Sequence, residues 1–342
     1  MDKSTDSGVL VTGATGTLGS HVIIELLRSD IPLKVLVRNI ATAQTALRRL
    51  FDFYALDFDQ KLKLIHWIEG DICDFSLMDD TLSHVQSVFH CAGWVPSHNI
   101  KPNLLFRSHV EATTQLVNLS LFHGVKWFGH TSSVATLGPN TEGLVDEDYF
   151  WKPGKHHSYY SQVKYLAEQE VWRGKEEGLH VFIMNPSVLV GPAMFNRGSF
   201  ELFNKVTKGL PFFINGSSGY VDVRDSAAFF VQQWQKGVHG IRVICSAENL
   251  EQKEFLSRVA LKLNKKPPSC RVGRSMFLLG SFLERLLLIQ KKQLSSDLYK
   301  MASSRNAYDN TRSVEQGAHY RSIEEAIENT ARFINFQNRL PS

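Results

Sequence analysis

The sequence predicts an α/β protein built on a doubly wound parallel sheet, followed by a smaller C-terminal lobe. Three observations carry this expectation. The first half alternates short β-branched runs with longer stretches of helical period, the pattern of strands covered by helices on both faces. A glycine-rich turn joins the first of those runs to the first helical stretch. Beyond residue 188 the alternation gives way to Gly- and Pro-containing loops such as GPAMFNRGS and KGLPFFINGSSG.

The strands are expected at Val9 to Thr12, Leu33 to Val37, Leu62 to Ile68, Ser87 to Cys91, Val125 to Thr131 and His180 to Met184. Several are apolar nearly throughout, as strands buried on both faces must be. Helical patterns fill the gaps at about 18–29, 41–53, 75–84, 103–123 and 158–177, each closed by a Gly, Pro or polar break. The second half adds a strand near Arg242 to Cys245 and helices near 250–263 and 276–290. This places a dinucleotide-type domain at 8–187, with 217–248 expected to return to it. Segments 188–216 and 249–337 form the smaller lobe, and 1–7 and 338–342 are read as flexible termini.

Composition narrows the class. At 43% hydrophobic and 21% charged, the 342 residues are globular in character, which excludes disordered, collagen-like and coiled-coil readings. The net charge of +4, from 38 basic and 34 acidic residues, gives nucleic-acid binding no support, and pairs such as Lys265-Lys266 read as solvated surface. Cys73, Cys91, Cys245 and Cys270 make no C-x-x-C pair, so reduced thiols are expected, with no metal site and no disulfide framework. The opening MDKSTDSG lacks an apolar signal core, and Met276 to Ile289 is short for a bilayer span and carries Glu284 and Arg285. A cytoplasmic protein with neither membrane nor nucleic acid as partner is the expectation.

The first strand runs into Gly13-Ala14-Thr15-Gly16-Thr17-Leu18-Gly19 and then into a helix with Leu18, Val22, Ile23, Leu26 and Leu27 on one side. A helix N-terminus offers unpaired N–H groups and a partial positive charge, and residues without Cβ let a pyrophosphate come close. In the strand–turn–helix context this is a Rossmann-type dinucleotide fingerprint, with Gly13, Thr15, Gly16, Thr17, Leu18 and Gly19 as its cofactor-binding residues. An NAD-binding version ends its second strand in an acid for the ribose hydroxyls. Here Leu36-Val37-Arg38-Asn39 supplies a guanidinium instead, which suits the 2′-phosphate of NADP; NAD stays as the alternative, with Arg38 then a surface charge opening the next helix.

Tyr160-Ser161-Gln162-Val163-Lys164 sets a phenol and an ammonium one helical turn apart on one face, and Thr131-Ser132-Ser133 closes the fifth strand. On these residues the chain resembles the extended short-chain dehydrogenase/reductases. The branch is that of the NAD-dependent epimerase/dehydratase family holding dihydroflavonol-4-reductase-like, 3β-hydroxysteroid dehydrogenase-like and NDP-sugar epimerase/dehydratase enzymes. The matching segments are VTGATGTLG at 11–19, GDICD at 70–74, FHCAG at 89–93, HTSSVATLG at 130–138, YSQVK at 160–164, NPSVLVGP at 185–192 and GYVDVRDSA at 219–227.

The resemblance implies roles. Tyr160 is the general acid/base, Lys164 holds the nicotinamide ribose and lowers the tyrosine pKa, and Ser133 hydrogen-bonds the substrate oxygen. Asp71 and Ile72 flank the adenine, Ala92 and Gly93 line the cofactor path, and Pro186 and Val188 approach the nicotinamide amide. The region after Val190 shapes a C-terminal substrate-binding lobe, and the helices at 103–123 and 158–177 form a homodimer interface. The chemistry agrees: a phenol of pKa about 10 is ionised roughly one part in a thousand at neutral pH, and a nearby ammonium and an oxidised nicotinamide both favour the phenolate.

The chain departs from the family at His109-Val110-Glu111-Ala112-Thr113, where relatives place an asparagine first. His109 is read either as a member of a proton relay, since imidazole both donates and accepts, or as a packed helix residue. Trp94 and Phe212 are read as substrate-pocket walls or as packing, and His156 and His157 as surface residues. The leading function is reduction of a ketone, or oxidation of a secondary alcohol, in a fairly apolar small molecule. The alternatives are an NDP-sugar epimerase or dehydratase with tightly held NAD and a non-catalytic NADP sensor. Arg38, and the absence of an acid in TSSVATLG, weigh against the first; the intact Ser133, Tyr160 and Lys164 set weighs against the second.

Overall fold

The structure is a computed structural model that describes residues 8–95, 101–138, 143–149, 151, 154, 157–195, 198–277 and 296–339. Twelve strands are present among them: β1 Val9–Thr12, β2 Leu33–Val37, β3 Ile65–Glu69, β4 Ser87–His90, β5 Trp127–Thr131, β6 Val181–Pro186, β7 Val188–Val190, β8 Phe212–Phe213, β9 Ser217–Asp222, β10 Ile241–Cys245, β11 Glu248–Glu251 and β12 Cys270–Arg271. Seven form one sheet in the order β10-β6-β5-β4-β1-β2-β3, every neighbouring pair parallel. The order reverses direction between β1 and β4. The loops leaving those two strands therefore diverge and open a crevice at the carboxyl edge of the sheet.

The helices are α1 Thr17–Arg28, α2 Ile40–Phe53, α3 Phe58–Leu62, α4 Phe75–Leu82, α5 Pro102–Phe106, α6 Ala112–Phe122, α7 Tyr159–Glu176, α8 Ser199–Thr207, α9 Val223–Gln235, α10 Gln252–Lys262, α11 Ser296–Ser303, α12 Thr311–Glu315 and α13 Ile323–Gln337. Successive side chains of a strand face opposite sides of a sheet. Phe128, Val181 and Ile183 accordingly pack with Leu116 and Val117 of α6 and Val171 of α7. Trp127, Phe182 and Met184 pack on the other face with Phe230 of α9. That second cluster runs on through Phe203 of α8 and Phe255 of α10 to Phe333 of α13, so the late helices share the core of the sheet. Helix α13 starts where Ser322 and Glu325 cap each other's backbone, and it buries Ile323, Ile327 and Ile334.

Some boundaries differ from expectation for local reasons. The third strand begins at Ile65 because Asp57 accepts a hydrogen bond from Gln60 N (2.9 Å) and starts the short helix α3. The fourth ends at His90. The fifth begins at Trp127, since Val125 N still bonds back to the Ser120 carbonyl (2.9 Å) at the end of α6. The expected helix at 103–123 is interrupted by a π turn at Arg107–Glu111. Of the 217–248 stretch, Ile241–Cys245 joins the large sheet, whereas Ser217–Asp222 pairs with β7 and β11 in a separate three-stranded sheet. The expected helix at 276–290 lies outside the described residues from 278 onward, as do residues 1–7 and 340–342. No helix among the described residues is long and apolar enough to cross a membrane.

Candidate active site

The glycine turn is closed by contacts that only glycine permits. Gly13 has φ +71°, and a Cβ there would fall 2.4 Å from the Cys91 backbone. At Gly19 a Cβ would fall 2.2 Å from the Gly13 carbonyl oxygen. Gly13 and Gly19 thus set the turn against the end of β4, while Gly16, Thr17 and Leu18 face the crevice. Gly16 caps α1 without a side-chain partner, and the first turn holds no acid, so its leading N–H groups and dipole are left for an anion. Thr15 is half-buried in the turn and does not line the crevice.

Across the switch point, Cys91, Ala92 and Gly93 follow β4 and line the crevice, as do Pro186, Ser187 and Val188 between β6 and β7. Asp71 and Ile72 follow β3, exposed and half-buried respectively, and are not among the residues lining the crevice. The Asp71 carboxylate accepts from Cys73 N (2.9 Å), and the Ile72 carbonyl accepts from Gln115 Nε2 (3.1 Å). Arg38 emerges exposed from the end of β2, beside Asn39, whose side chain caps α2 by accepting from Thr42 N (2.8 Å).

The reacting end is built by β5 and α7. Strand β5 stops at Thr131; Ser133 is extended and caps a single 3-10 turn at Val134–Thr136, its Oγ accepting from Ala135 N (3.1 Å). Ser158 caps α7 by accepting from Ser161 N (3.1 Å), which places Tyr160 in the first turn and Lys164 one turn later. Ser133, Tyr160 and Lys164 all line the same crevice as Gly16 and Thr17, whose volume is ≈ 340 Å³. Lys164 Nζ donates to the Thr131 carbonyl (2.7 Å).

Burial governs the electrostatics here. It pushes the Tyr160 phenol up to about 12, with a hydrogen bond from Ser133 pulling the other way. Burial also pulls the Lys164 ammonium down to about 8, opposed chiefly by the Glu168 carboxylate. The expected lowering of Tyr160 by Lys164 is not seen in the protein alone, where burial of the phenol prevails and the ammonium is tied to Thr131. Three buried imidazoles surround the pair, all held in the neutral form by burial and then by the Lys164 charge: His90 and His109 at about 3, and His130 well below its ordinary value.

His109 sits in the π turn, buried, with its ring edge-on to Tyr160 at 5.9 Å. Its Nε2 lies 3.1 Å from Trp94 N and 3.0 Å from Trp94 O, so one of the two is bonded according to which ring nitrogen carries the proton. A Cβ at Gly93 would fall 2.7 Å from its Cε1. The histidine thus packs the loop after β4 against the helix and at the same time lines the crevice beside Tyr160, a placement that suits both the packed and the relay reading.

Glu168, one turn beyond Lys164, is a buried residue that the sequence reading missed. Its Oε2 accepts from Ser132 Oγ (2.5 Å), Thr136 Oγ1 (2.9 Å) and Asn185 Nδ2 (2.9 Å). Its Oε1 accepts from Arg242 Nη1 (3.1 Å) and Trp172 Nε1 (3.4 Å). It ties the strand ends of β5 and β6 and the edge strand β10 to α7. The signal was its place on the Tyr160–Lys164 face, where a charge reads as solvated unless its partners are known.

The substrate side differs most from expectation. Phe212 is 48% exposed on β8, beside β12 and outside the crevice. Phe213 is buried under the Lys253 ammonium (5.2 Å). Trp94, read as pocket wall or as packing, is likewise outside the lining and lies against Arg38. His157, expected at the surface, is buried and stacked at 3.6 Å on Trp151, which stacks in turn on Tyr165; His156 lies outside the described residues. The far wall comes instead from Ser217 and Ser218 of β9 with Met301, Asn306 and Tyr308. No group of three or more His, Cys, Asp or Glu among the described residues could hold a metal ion.

Comparison with known proteins adds the following. The model of the NAD dependent epimerase/dehydratase family matches residues 9–245. A putative dihydroflavonol 4-reductase of Synechocystis sp. is 27% identical over 339 residues, covering 96% of this chain and 94% of the relative. Among solved structures, that of gox2253 superposes with a TM-score of 0.77 at 25% identity, over 98% of this chain and all (100%) of the other. Yeast methylglyoxal/isovaleraldehyde reductase Gre2, complexed with NADPH, gives a TM-score of 0.74 at 19% identity over 97% and 99% of the two chains.

Proposed function

This chain belongs to the NAD dependent epimerase/dehydratase family, and we propose that within it the protein is an NADP(H)-dependent oxidoreductase acting on a carbonyl or secondary alcohol of a small molecule. The carrying observation is the convergence of Ser133, Tyr160 and Lys164 on one crevice whose other end is the glycine turn. The reductase name of the relative matched along 96% of this chain supports the same reading.

The residues present suit a dinucleotide. Glycines packed without room for a Cβ leave the α1 N-terminus open to a pyrophosphate, and Arg38, exposed at the end of β2, offers a guanidinium that would suit a 2′-phosphate. A bound nicotinamide would supply or accept the hydride. Tyr160, protonated through the neutral range by its burial, donates the proton to the substrate oxygen during reduction. The Ser133 hydroxyl holds that oxygen and steadies its developing negative charge. Lys164, fixed by Thr131, supplies a buried positive charge to the crevice that the phenol lines, because the three buried imidazoles stay neutral. Ala92, Gly93, Pro186 and Val188 are assigned to the cofactor path, and Asp71 and Ile72 to its adenine end. We assign 8–187 with 241–245 to cofactor binding, and the other segments after Val190 to the substrate.

Four unpaired cysteines support a reducing, cytoplasmic setting. Leu104 of α5, Phe122 of α6 and Leu166 of α7, all exposed, supply apolar surface for a homodimer. Light scattering that returned the mass of a single chain at micromolar concentration would remove the dimer.

The function is tested by a panel of ketones and aldehydes with NADPH and with NADH, together with mass spectrometry of the denatured protein. Reduction that prefers NADPH, without a co-purifying nucleotide, is the expected result. Stoichiometric NAD and no carbonyl reduction would establish the epimerase or dehydratase instead. Binding of NADPH with no turnover on any substrate would leave the sensor.

A further inference from the structure

The guanidinium of Arg38 lies over the indole of Trp94, with Cζ 5.2 Å from the ring centroid. A guanidinium is planar, so it can rest one face on an aromatic ring while its five N–H donors point outward around the edge. Resting the face on Trp94 leaves that edge for the two parallel bonds by which arginine grips a phosphate.

The indole is itself anchored. Trp94 is 37% exposed, yet its backbone is hydrogen-bonded to the buried His109 Nε2, through its N–H or its carbonyl according to the tautomer, and Gly93 before it packs flush on the same imidazole. His109 in turn abuts Tyr160 edge-on. A continuous set of contacts thus runs from the end of β2, across the loop after β4, to the catalytic helix.

We propose that Trp94 determines cofactor specificity, its indole face holding the Arg38 guanidinium in the orientation that grips the 2′-phosphate of NADP(H). This rests on the NADP reading above and extends it to a residue outside the nucleotide fingerprint. Without the indole, Arg38 is a flexible exposed side chain that must be ordered anew at each binding event, which weakens the grip on the 2′-phosphate and on nothing else.

The test is calorimetric titration of the full chain with 2′,5′-ADP and with 5′-AMP, which differ by the 2′-phosphate alone. It compares the wild type with Trp94→Ala, Trp94→Phe, Arg38→Ala and the Arg38→Ala/Trp94→Ala pair. Trp94→Ala is expected to weaken 2′,5′-ADP by about 3- to 10-fold, in the range of an exposed to partly desolvated cation–π contact. Binding of 5′-AMP stays within about twofold, and Trp94→Phe, which keeps a flat ring, retains most of the affinity. Once Arg38 is alanine, removing Trp94 changes nothing further, because the two act as one unit.

Equal losses for both nucleotides, no loss for either, or an undiminished Trp94→Ala effect in the Arg38→Ala background each overturn the inference. The wild type separates it from the reading beneath it. A wild type that does not prefer 2′,5′-ADP removes the NADP assignment and the inference with it, whereas a wild type that does, alongside an unaffected Trp94→Ala, removes the inference alone.

Discussion

Glu168→Gln tests whether the carboxylate beneath the active site is both a tie and a countercharge. The side chain is fully buried and accepts from five groups, three at Oε2 and two at Oε1. A glutamine can present one oxygen to Ser132, Thr136 and Asn185, but its amide N–H₂ then faces the N–H donors of Arg242 and Trp172. Removing one partner of a buried ion pair costs about 3–5 kcal/mol. Arg242 keeps the Glu147 and Tyr149 carbonyls (2.7 and 3.2 Å) and is only partly buried, which places the cost near the lower end, about 3 kcal/mol. With an unfolding entropy of about 2.1 cal/mol/K per residue, that is a fall of roughly 4 °C in Tm for a chain of this length.

The charge lost is also the one that holds the Lys164 ammonium up against burial, so its value should drop below about 8. The alkaline limb of reductive kcat/KM then moves to lower pH. Calorimetry and a pH–rate profile on the same preparation read the two effects separately. An unchanged Tm refutes the tie, and a lowered Tm with an unmoved alkaline limb refutes the countercharge.

In the wild type, reductive kcat/KM should be flat from about pH 6 to the neutral range and fall tenfold per unit above about pH 8. That is the range in which the free enzyme loses the Lys164 proton while Tyr160, at about 12, keeps its own; a profile rising through pH 9 would contradict this. Gly13→Ala must place a Cβ 2.4 Å from the Cys91 backbone at φ +71°, so it should cost at least about 2 kcal/mol and abolish the thermal stabilisation by NADPH, as differential scanning fluorimetry would show. Phe212→Ser, outside the crevice, should leave substrate KM within about twofold, whereas Met301→Ala, in the far wall, should raise it by about 3- to 30-fold through lost apolar contact. Reversed results would move the substrate pocket away from Met301 and onto β8.

The large sheet was legible because most of its strands are apolar on both faces and its turns are chemically explicit; Phe128 and Trp127 face opposite cores. The small sheet was not. Ser217–Asp222 mixes Ser and Gly with apolar residues, and its partners β7 and β11 are fixed by long-range pairing that a local pattern does not encode. The glycine turn was readable from its strand–turn–helix context, and helical periodicity puts Tyr160 and Lys164 on one face, but the roles given to them and to Ser133 came from the family resemblance; the structure lines one crevice with all three. The far wall was not readable, because Ser217 and Asn306 meet across 89 positions of sequence, Ser217 Oγ donating to the Asn306 carbonyl (3.3 Å). Glu168 and Trp94 share that difficulty: each takes its meaning from a partner, Arg242 or Arg38, whose proximity only the fold creates.

The claim on which the rest depends is that the Tyr160 phenol delivers the proton to the substrate oxygen. Single-turnover NADPH oxidation in a stopped-flow instrument, with any carbonyl compound the wild type reduces, measures this directly in Tyr160→Phe. The ring and its packing on His109 are retained there and only the hydroxyl is lost. The account predicts a transfer rate lower by about 10²- to 10⁴-fold with NADPH affinity intact. A rate equal to that of the wild type would contradict it.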